Sequence, residues 1–232
     1  MKRVLVVGRG RVGSALSARL VERGVQVVAH RDEIDANGLD ANDDALILIC
    51  VPDAAIRDVA RAQALGPWIA HVSGATPLAA LDPHTRRFGV HPLQTFTRER
   101  GPEQIDGAWA AITAETPDAR ARGMWLGRTL GLHPFDLADE SRALYHAGAA
   151  VASNFLVTLH RAASRLLERA GAPPEALLPL MRRTIDNDFE LTGPIARGDT
   201  ATVEAHLAAI RATAPELVPM YEALAALTAI AR

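Results

Sequence analysis

The chain has 232 residues, of which 49% are hydrophobic and 22% are charged, a composition typical of a soluble globular protein with one large domain or two modest ones. Its net charge of −2 and its aromatic content of 4% offer neither a basic field nor a stacking surface, so we expect no nucleic-acid partner. The longest apolar run, residues 45–51, is too short to cross a bilayer, so we expect a cytoplasmic protein with no membrane partner.

Two residue types limit the chemistry. Cys50 is the only cysteine, which excludes an intrachain disulfide, and its place in an apolar run predicts a buried structural thiol. Lys2 is the only lysine, because every other basic residue is an arginine. A mechanism that needs a lysine elsewhere in the chain is therefore excluded.

Short apolar runs alternate with helical stretches in the first part of the chain. We predict strands at residues 3–7, 25–29, 45–51, 69–72, 88–90, 108–114 and 132–137, with helices at residues 14–23, 54–64, 77–81 and 117–130. The strand runs are continuously apolar, which is typical of a parallel sheet covered on both faces. This pattern predicts a doubly wound Rossmann domain.

Only helical patterns follow residue 138. A long helix is predicted at residues 140–170, and further helices at residues 175–187, 200–212 and 215–230. The fold class is therefore α/β, with an N-terminal Rossmann domain at residues 1–138 and an all-α domain at residues 139–232. The apolar face of the long helix is expected to form a homodimer, and a plain domain core is the alternative.

A glycine-rich segment, Gly8-Arg9-Gly10-Arg11-Val12-Gly13, lies between the first predicted strand and the first predicted helix. In this context the first glycine permits a tight turn, the second lets a pyrophosphate approach the backbone, and the third lets the helix pack on the strand. The start of the helix offers unpaired N–H groups to phosphates. The segment therefore predicts a nicotinamide dinucleotide site.

The end of the second predicted strand bears on which dinucleotide binds. Arg31 follows this strand, and a basic residue there accommodates the 2′-phosphate of NADP. Asp32 comes next, and an acid at this place accepts the ribose hydroxyls of NAD. We expect NADP, with NAD as the alternative.

The chain resembles a family of bacterial Rossmann-like oxidoreductases with a C-terminal helical domain of unassigned function. This family is similar to deazaflavin-dependent NADP oxidoreductases, pyrroline-carboxylate reductases and 6-phosphogluconate dehydrogenase-like proteins. The segments that carry the resemblance are Gly8–Gly13, Ala45–Asp53, His71–Ala75, His91–Phe96, Tyr145–Gly148, Ser153–Phe155 and Leu191–Asp199. The resemblance implies an NADP-type oxidoreductase and leaves the substrate open.

The His91-Pro92 segment is also similar to one in prephenate dehydrogenases, where the histidine works at the substrate. Related hydroxyacid dehydrogenases use an Asn-x-x-x-Lys pair on the interdomain helix. This chain has Asn154 but carries Thr158 where that lysine would fall. A hydroxyacid dehydrogenase mechanism with a lysine acid is therefore ruled out.

His91 is the strongest acid–base candidate, because histidine exchanges protons near neutral pH. Val51 and Pro52 are expected to line the ribose–nicotinamide half of the cofactor, since ligands lie beyond the carboxyl ends of the strands. Ser73 is expected to hydrogen-bond the cofactor or the substrate, with capping of the next turn as the alternative. A packed histidine beside a turn remains the alternative for His91.

His146 and Asn154 on the long helix complete the proposed catalytic set. At 100° per residue, Arg142, His146 and Ser153 share one face and Asn154 lies at its edge. Tyr145 is interpreted as a core residue. The scattered histidines show no ligand spacing, so no metal site is expected.

The sequence thus predicts an NADP-dependent oxidoreductase that transfers a hydride to or from a small carbonyl or imine in the cleft between two domains. Two alternatives remain: a dinucleotide-binding sensor or scaffold without catalysis, and an NADP:deazaflavin oxidoreductase.

Overall fold

The structure is a computed structural model that describes residues 3–30 and 45–230. It divides into two compact units, Met1–Ala150 and Val151–Arg232. The change in sequence character after residue 138 precedes this division, because the first unit also contains the helix that begins at Arg142. The domain limits taken from the sequence stay a prediction.

The first unit contains a seven-stranded sheet. In this sheet β1 lies between β2 and β3, so the strand order reverses its direction at β1. The strands are β1 (Arg3–Val7), β2 (Gln26–His30), β3 (Ala45–Ile49), β4 (Trp68–His71), β5 (Arg87–Leu93), β6 (Trp109–Ala114) and β7 (His133–Asp136). Their order across the sheet is β2-β1-β3-β4-β5-β6-β7. From β1 the chain goes first to one side, to β2, and then to the other, to β3.

The sheet is mostly parallel, as predicted, but its last two strands are reversed. Strands β1 to β5 run in one direction, whereas β6 pairs antiparallel with β5, and β7 pairs parallel with β6. The sequence could not reveal this reversal. Both faces of β6 are covered, so its buried run Ala110–Thr113 has the same apolar pattern as a buried parallel strand.

Both faces of the sheet are buried, which confirms the doubly wound fold. In β3 every side chain is buried, and alternate residues point to opposite faces. Leu46 and Leu48 belong to one apolar core, whereas Ile47 and Ile49 belong to the other. Helices therefore cover both sides of the sheet.

Within residues 3–30 and 45–150, the first unit contains four α-helices, of which the first three pack on the sheet. They are α1 (Arg11–Glu22), α2 (Ile56–Arg61), α3 (Pro117–Thr129) and α4 (Arg142–Ala150). Leu16 and Leu20 of α1 join the core that contains Leu48, together with Leu126 of α3. Ile56 of α2 joins the opposite core.

The second unit is helical, as predicted. It begins with a π-helical turn, Val151–Phe155, and continues with α5 (Leu156–Arg169), α6 (Leu177–Asp186), α7 (Pro194–Arg197), α8 (Thr200–Thr213) and α9 (Val218–Ile230). The predicted helix at residues 140–170 therefore contains a π turn, which takes more residues than an α turn. In residues 3–30 and 45–230, no helix has both the length and the apolar character that a membrane crossing requires.

Candidate functional site

The glycine turn after β1 depends on two glycines. Gly8 has φ +106°, and a Cβ there would lie 2.6 Å from the Cys50 carbonyl oxygen. A Cβ on Gly13 would lie only 2.0 Å from the Gly8 carbonyl oxygen. Any side chain at either position would therefore push the turn apart, whereas Gly10 has open space around its Cα.

The same turn exposes the start of α1. Gly10 precedes the helix, has no side chain that could cap it, and is followed by a first turn without acidic residues. The first N–H groups of a helix have no partner within the helix, and its dipole is positive at this end. Arg9 and Arg11 flank the turn and are exposed. This arrangement suits an anion such as a pyrophosphate.

The turn lies at the switch point of the sheet, where β1 and β3 are neighbours. Val51 follows β3, and its Cγ1 lies 3.1 Å from the position that a Cβ on Gly8 would take. Pro52 is exposed next to it. In open α/β sheets, ligands bind beyond the carboxyl ends of strands at such a point. Arg31 and Asp32, which bear on the choice between NADP and NAD, lie outside the described residues.

The position of Cys50 confirms that its thiol is buried and structural, as expected. The side chain is buried beside the glycine turn, and burial raises the pKa of the thiol to about 12. The thiol therefore stays protonated at neutral pH and is no nucleophile.

Ser73 follows β4 and uses its hydroxyl within the protein. The hydroxyl donates to Asp53 Oδ2 at 2.7 Å and accepts the backbone N–H groups of Ala75 at 3.2 Å and Thr76 at 3.0 Å. These are the bonds of the capping alternative left open by the sequence. A role for Ser73 at the cofactor stays a prediction, and Asp53 is a polar group at this edge that the sequence analysis did not single out.

His91 lies near the carboxyl end of β5, and its partner comes from α4. Its Nδ1 lies 2.8 Å from the Tyr145 hydroxyl, and the two rings meet edge to face with centroids 5.5 Å apart. Tyr145 also contacts the Phe135 ring. Tyr145 is half-buried and does not belong to the buried core, so its interpretation as a core residue is wrong. Its hydroxyl is bonded instead to the strongest catalytic candidate.

His146 joins the same cluster. Its ring centroid lies 6.0 Å from that of His91, and both rings pack against Gly74. A Cβ on Gly74 would lie 2.6 Å from His146 Cδ2 and 2.9 Å from His91 Nε2. Glycine at this position therefore lets both imidazoles lie against the loop after β4.

The surroundings of His91 keep it uncharged. Burial, His146 and Arg142 lower its pKa to about 4, against a smaller opposing effect of Asp53. Burial also raises the pKa of Tyr145 to about 12. From the sequence we expected a histidine that titrates near neutral pH, whereas this pair holds a neutral imidazole next to a protonated phenol.

Asn154 belongs to the second unit, and its catalytic role stays a prediction. It lies in the π turn, and its side chain is exposed. The Ser153 hydroxyl is 3.4 Å from its Oδ1. A position of Asn154 at the edge of the His146 face requires an unbroken α-helix, which the π turn interrupts.

A family model describes more than half of the chain. The model named Domain of unknown function (DUF2520) matches residues 108–228. The chain belongs to the DUF2520 family. The match covers β6, α3, β7 and nearly all of the helical unit, which confirms the expected family with a C-terminal helical domain of unassigned function. A comparison with curated proteins finds no match.

Solved structures share the fold of this DUF2520 chain. A Bacteroides fragilis protein provisionally assigned as an NADP oxidoreductase is 20% identical, with a TM-score of 0.77 over 98% of both chains. Protein TM1727 from Thermotoga maritima is 21% identical, with a TM-score of 0.74 over 98% of both chains. An imine reductase from Aspergillus terreus, solved with NADPH4 and a dibenzazepine, is 17% identical, with a TM-score of 0.69 over 95% of this chain and 91% of its own.

Two histidines of the first unit, His71 in β4 and His91 in β5, predict how stability depends on pH. Burial lowers the pKa of His71 to about 3, and His91 has a pKa of about 4, whereas both start from 6.5. Between pH 6.5 and 4 the unfolded chain therefore binds more protons, so the free energy of unfolding falls as the pH is lowered. Each histidine contributes a slope of up to about 1.4 kcal/mol per pH unit.

The substitution His71→Asn removes one of these titratable groups. Between pH 6.5 and 4, the free energy of unfolding of the variant should therefore change less steeply with pH than that of the wild type. Urea unfolding at a series of pH values measures both slopes. Equal slopes in the two proteins would contradict a neutral, buried His71.

Proposed function

We propose that this DUF2520 protein is an NADP-dependent oxidoreductase that transfers a hydride to or from a small carbonyl or imine substrate. One observation carries the proposal: the glycine turn and the His91–Tyr145 pair lie on the same edge of the sheet. Strand β5 is three strands from β1, about 14 Å along that edge. An extended dinucleotide held at the turn would direct its nicotinamide end toward His91.

The residues at the turn fit such a cofactor. Gly10 leaves room for a pyrophosphate above the backbone, and the N–H groups that open α1 would bind its oxygens. When bound, the cofactor supplies the hydride. Similarity in fold to the Bacteroides fragilis protein and to the imine reductase solved with NADPH4 supports the choice of cofactor. The preference for NADP over NAD rests on Arg31.

The His91–Tyr145 pair can polarise the substrate without a charge of its own. In the tautomer we assign, the Tyr145 hydroxyl donates to Nδ1, so Nε2 carries the hydrogen. Nε2–H would donate to the oxygen or nitrogen of a C=O or C=N bond as the hydride arrives at carbon. A neutral imidazole can stabilise negative charge in this way, as known enzymes demonstrate.

The substitution Gly10→Ala tests the cofactor site. Its added Cβ meets no atom within 4 Å, and the backbone at Gly10 suits alanine, so stability should stay unchanged. NADPH affinity should fall about tenfold or more, because the methyl group would occupy the space of the pyrophosphate. Calorimetric titration with NADPH and NADH measures both the affinity and the preference.

Gly148→Ala is the matched control, because Gly148 also has open space but lies in α4 away from the turn. It should bind NADPH like the wild type. Equal NADPH affinity in Gly10→Ala and Gly148→Ala would argue against a cofactor on the glycine turn, and tighter binding of NADH would overturn the role of Arg31.

The substitution His91→Asn tests the chemistry. We expect turnover to fall about 100-fold or more, because the group that polarises the substrate is lost, with little change in NADPH affinity. NADPH oxidation is followed with a panel of imines, ketones and keto acids that includes ketopantoate. His133→Asn is the control, since this exposed histidine of β7 contacts Trp109 and not the His91 cluster.

Tight NADPH binding with no turnover of any panel member in the wild type would favour the sensor or scaffold alternative. Reduction of an added deazaflavin by NADPH, with no turnover of imines or carbonyls, would favour the deazaflavin alternative.

We further propose that the chain forms a homodimer through its helical unit, because this unit exposes many large apolar side chains and buries few apolar side chains completely. In residues 151–230 only four apolar side chains are buried: Ala162, Leu177, Ile210 and Ala214. Large apolar side chains that are between 37% and 80% exposed are Val151, Phe155, Leu156, Val157, Leu159, Leu178, Leu180, Ile185, Phe189, Leu191, Leu224, Leu227 and Ile230.

The exposed area matches what a dimer requires. A large apolar side chain presents roughly 150 Å² when fully exposed, so these side chains expose on the order of 1,000 Å². Each partner of a standard interface contributes about 800 Å². A second copy of the chain carries the same apolar side chains and is therefore the occupant we propose.

The substitution Leu227→Glu in α9 should convert the dimer to a monomer, because it replaces a leucine that is 64% exposed in the helical unit with a charged side chain. Light scattering coupled to size exclusion measures the mass. Leu65→Glu is the control, since Leu65 is 62% exposed but lies in the first unit, and its mass should equal that of the wild type. A monomeric wild type would overturn the proposal.

A further inference from the structure

A row of three residues crosses the sheet beneath the candidate site. His71 of β4 lies opposite Gly89 of β5, and Gly89 lies opposite Thr113 of β6. Side chains two residues apart on a strand share a face, so His91 lies on the same face as Gly89 and one step closer to the carboxyl end. The row therefore lies next to His91 on the same face of the sheet.

The Arg142 guanidinium lies on this row. Its Nη1 donates to the Thr113 hydroxyl at 2.8 Å, and its Nη2 donates to the Ser73 carbonyl oxygen beyond β4. A Cβ on Gly89 would lie 2.9 Å from Nη1, so only glycine leaves room for the guanidinium there. One side chain from α4 thus links the helix to β6 and to the loop after β4.

Burial of the Arg142 guanidinium cation costs desolvation free energy. Arg142 is 1% exposed, and its Nε lies 3.9 Å from Asp139 Oδ1, a long ion pair. Among the described residues, Nε has no hydrogen-bond partner, and neither ring nitrogen of the buried His71 has one. Replacing a buried charge by a packed apolar side chain is often neutral or stabilising. Stability alone is therefore a poor reason for an arginine at this position.

The position of Arg142 in α4 suggests why this buried residue is an arginine. Tyr145 and His146 follow it by three and four residues, so all three side chains lie on neighbouring positions of one helix face. The two-armed link of the guanidinium fixes the rotation of α4 at its first turn. It therefore also fixes where the Tyr145 hydroxyl meets His91 Nδ1.

The charge of Arg142 acts on the same histidine. The titratable and charged groups that face His91 are Tyr145, His146 and Arg142 from α4, Asp53 from the segment after β3, and His71 from β4. Arg142 is the buried cation of this set. A positive charge nearby disfavours a second one on the imidazole, which agrees with the lowered pKa of His91.

We propose that Arg142 is the positioning residue of this site: its guanidinium ties α4 to the sheet so that the Tyr145 hydroxyl meets His91 Nδ1. Its charge adds to the effects of burial and His146, which already disfavour a proton on His91. The proposal rests on the proposed function only in treating His91 as the reacting group. Its structural part concerns a hydrogen bond and a titration that exist without a substrate.

Two variants distinguish the effect of the Arg142 charge from that of the link, which is the pair of hydrogen bonds from its guanidinium to Thr113 and Ser73. Arg142→Gln removes the charge, so the pKa of His91, followed by NMR of the imidazole carbons, should rise by about one unit. Arg142→Lys keeps the charge but lacks the two-armed fork, so the pKa of His91 should stay low. In both variants turnover should fall at least tenfold while NADPH affinity is kept, because α4 is no longer fixed.

Arg120→Gln is the matched control, because Arg120 is an exposed arginine paired with Asp136 on the same unit. It should change neither the pKa of His91 nor turnover. A folded Arg142→Gln protein whose His91 pKa equals that of the wild type would overturn the charge role. Wild-type turnover in Arg142→Lys would overturn the link.

Thr113→Val covers the case in which Arg142→Gln does not fold. This variant removes the acceptor of Nη1 but keeps the cation, so we expect lower turnover with an unchanged pKa of His91. Wild-type turnover in Thr113→Val would argue against the link. If the wild type binds no NADPH, the proposed function fails, and two readouts without substrate still decide the proposal: the pKa of His91 in Arg142→Gln and Arg142→Lys for the charge, and the NMR shift of His91 Nδ1 in Thr113→Val for the link. A wild-type Nδ1 shift in Thr113→Val would mean that the bond to the Tyr145 hydroxyl does not depend on the link.

Discussion

Five neighbouring strands run in the same direction, and their backbone hydrogen bonds bring every carboxyl end to one edge of the sheet. The remaining features of the candidate site depend on this alignment. It places the glycine turn after β1, Asp53 after β3, Ser73 after β4 and His91 near the end of β5 along a single line. Residues that are far apart in sequence thereby become neighbours, and the switch point between β1 and β3 opens the edge to a ligand.

Three side chains at this edge carry no charge. His91 is neutral, Tyr145 keeps its proton, and Cys50 is a protonated thiol. The buried cation beneath them, Arg142, is held by a hydroxyl and a carbonyl oxygen rather than by a close carboxylate. Such a site is suited to polarising a bond by hydrogen bonding, and it differs from a site that transfers a proton from a charged acid.

The helical unit differs from the first unit, because it exposes many large apolar side chains and buries few apolar side chains completely. In the proposed homodimer, burial of the exposed leucine, valine and phenylalanine side chains against a second copy would add stabilisation to this unit.

The sequence by itself determined the features that depend on local pattern. Alternating apolar runs and helical stretches defined the Rossmann unit and the helices after it, and Gly8 and Gly13 identified the turn because only glycine fits there. The tertiary structure decided what depends on contacts between distant residues. Tyr145 meets His91 across 54 positions of the chain, and Arg142 reaches Ser73 across 69, which no local spacing reveals. The reversal of β6 and the π turn before α5 were hidden for the same reason: an apolar run records burial but neither strand direction nor helical pitch.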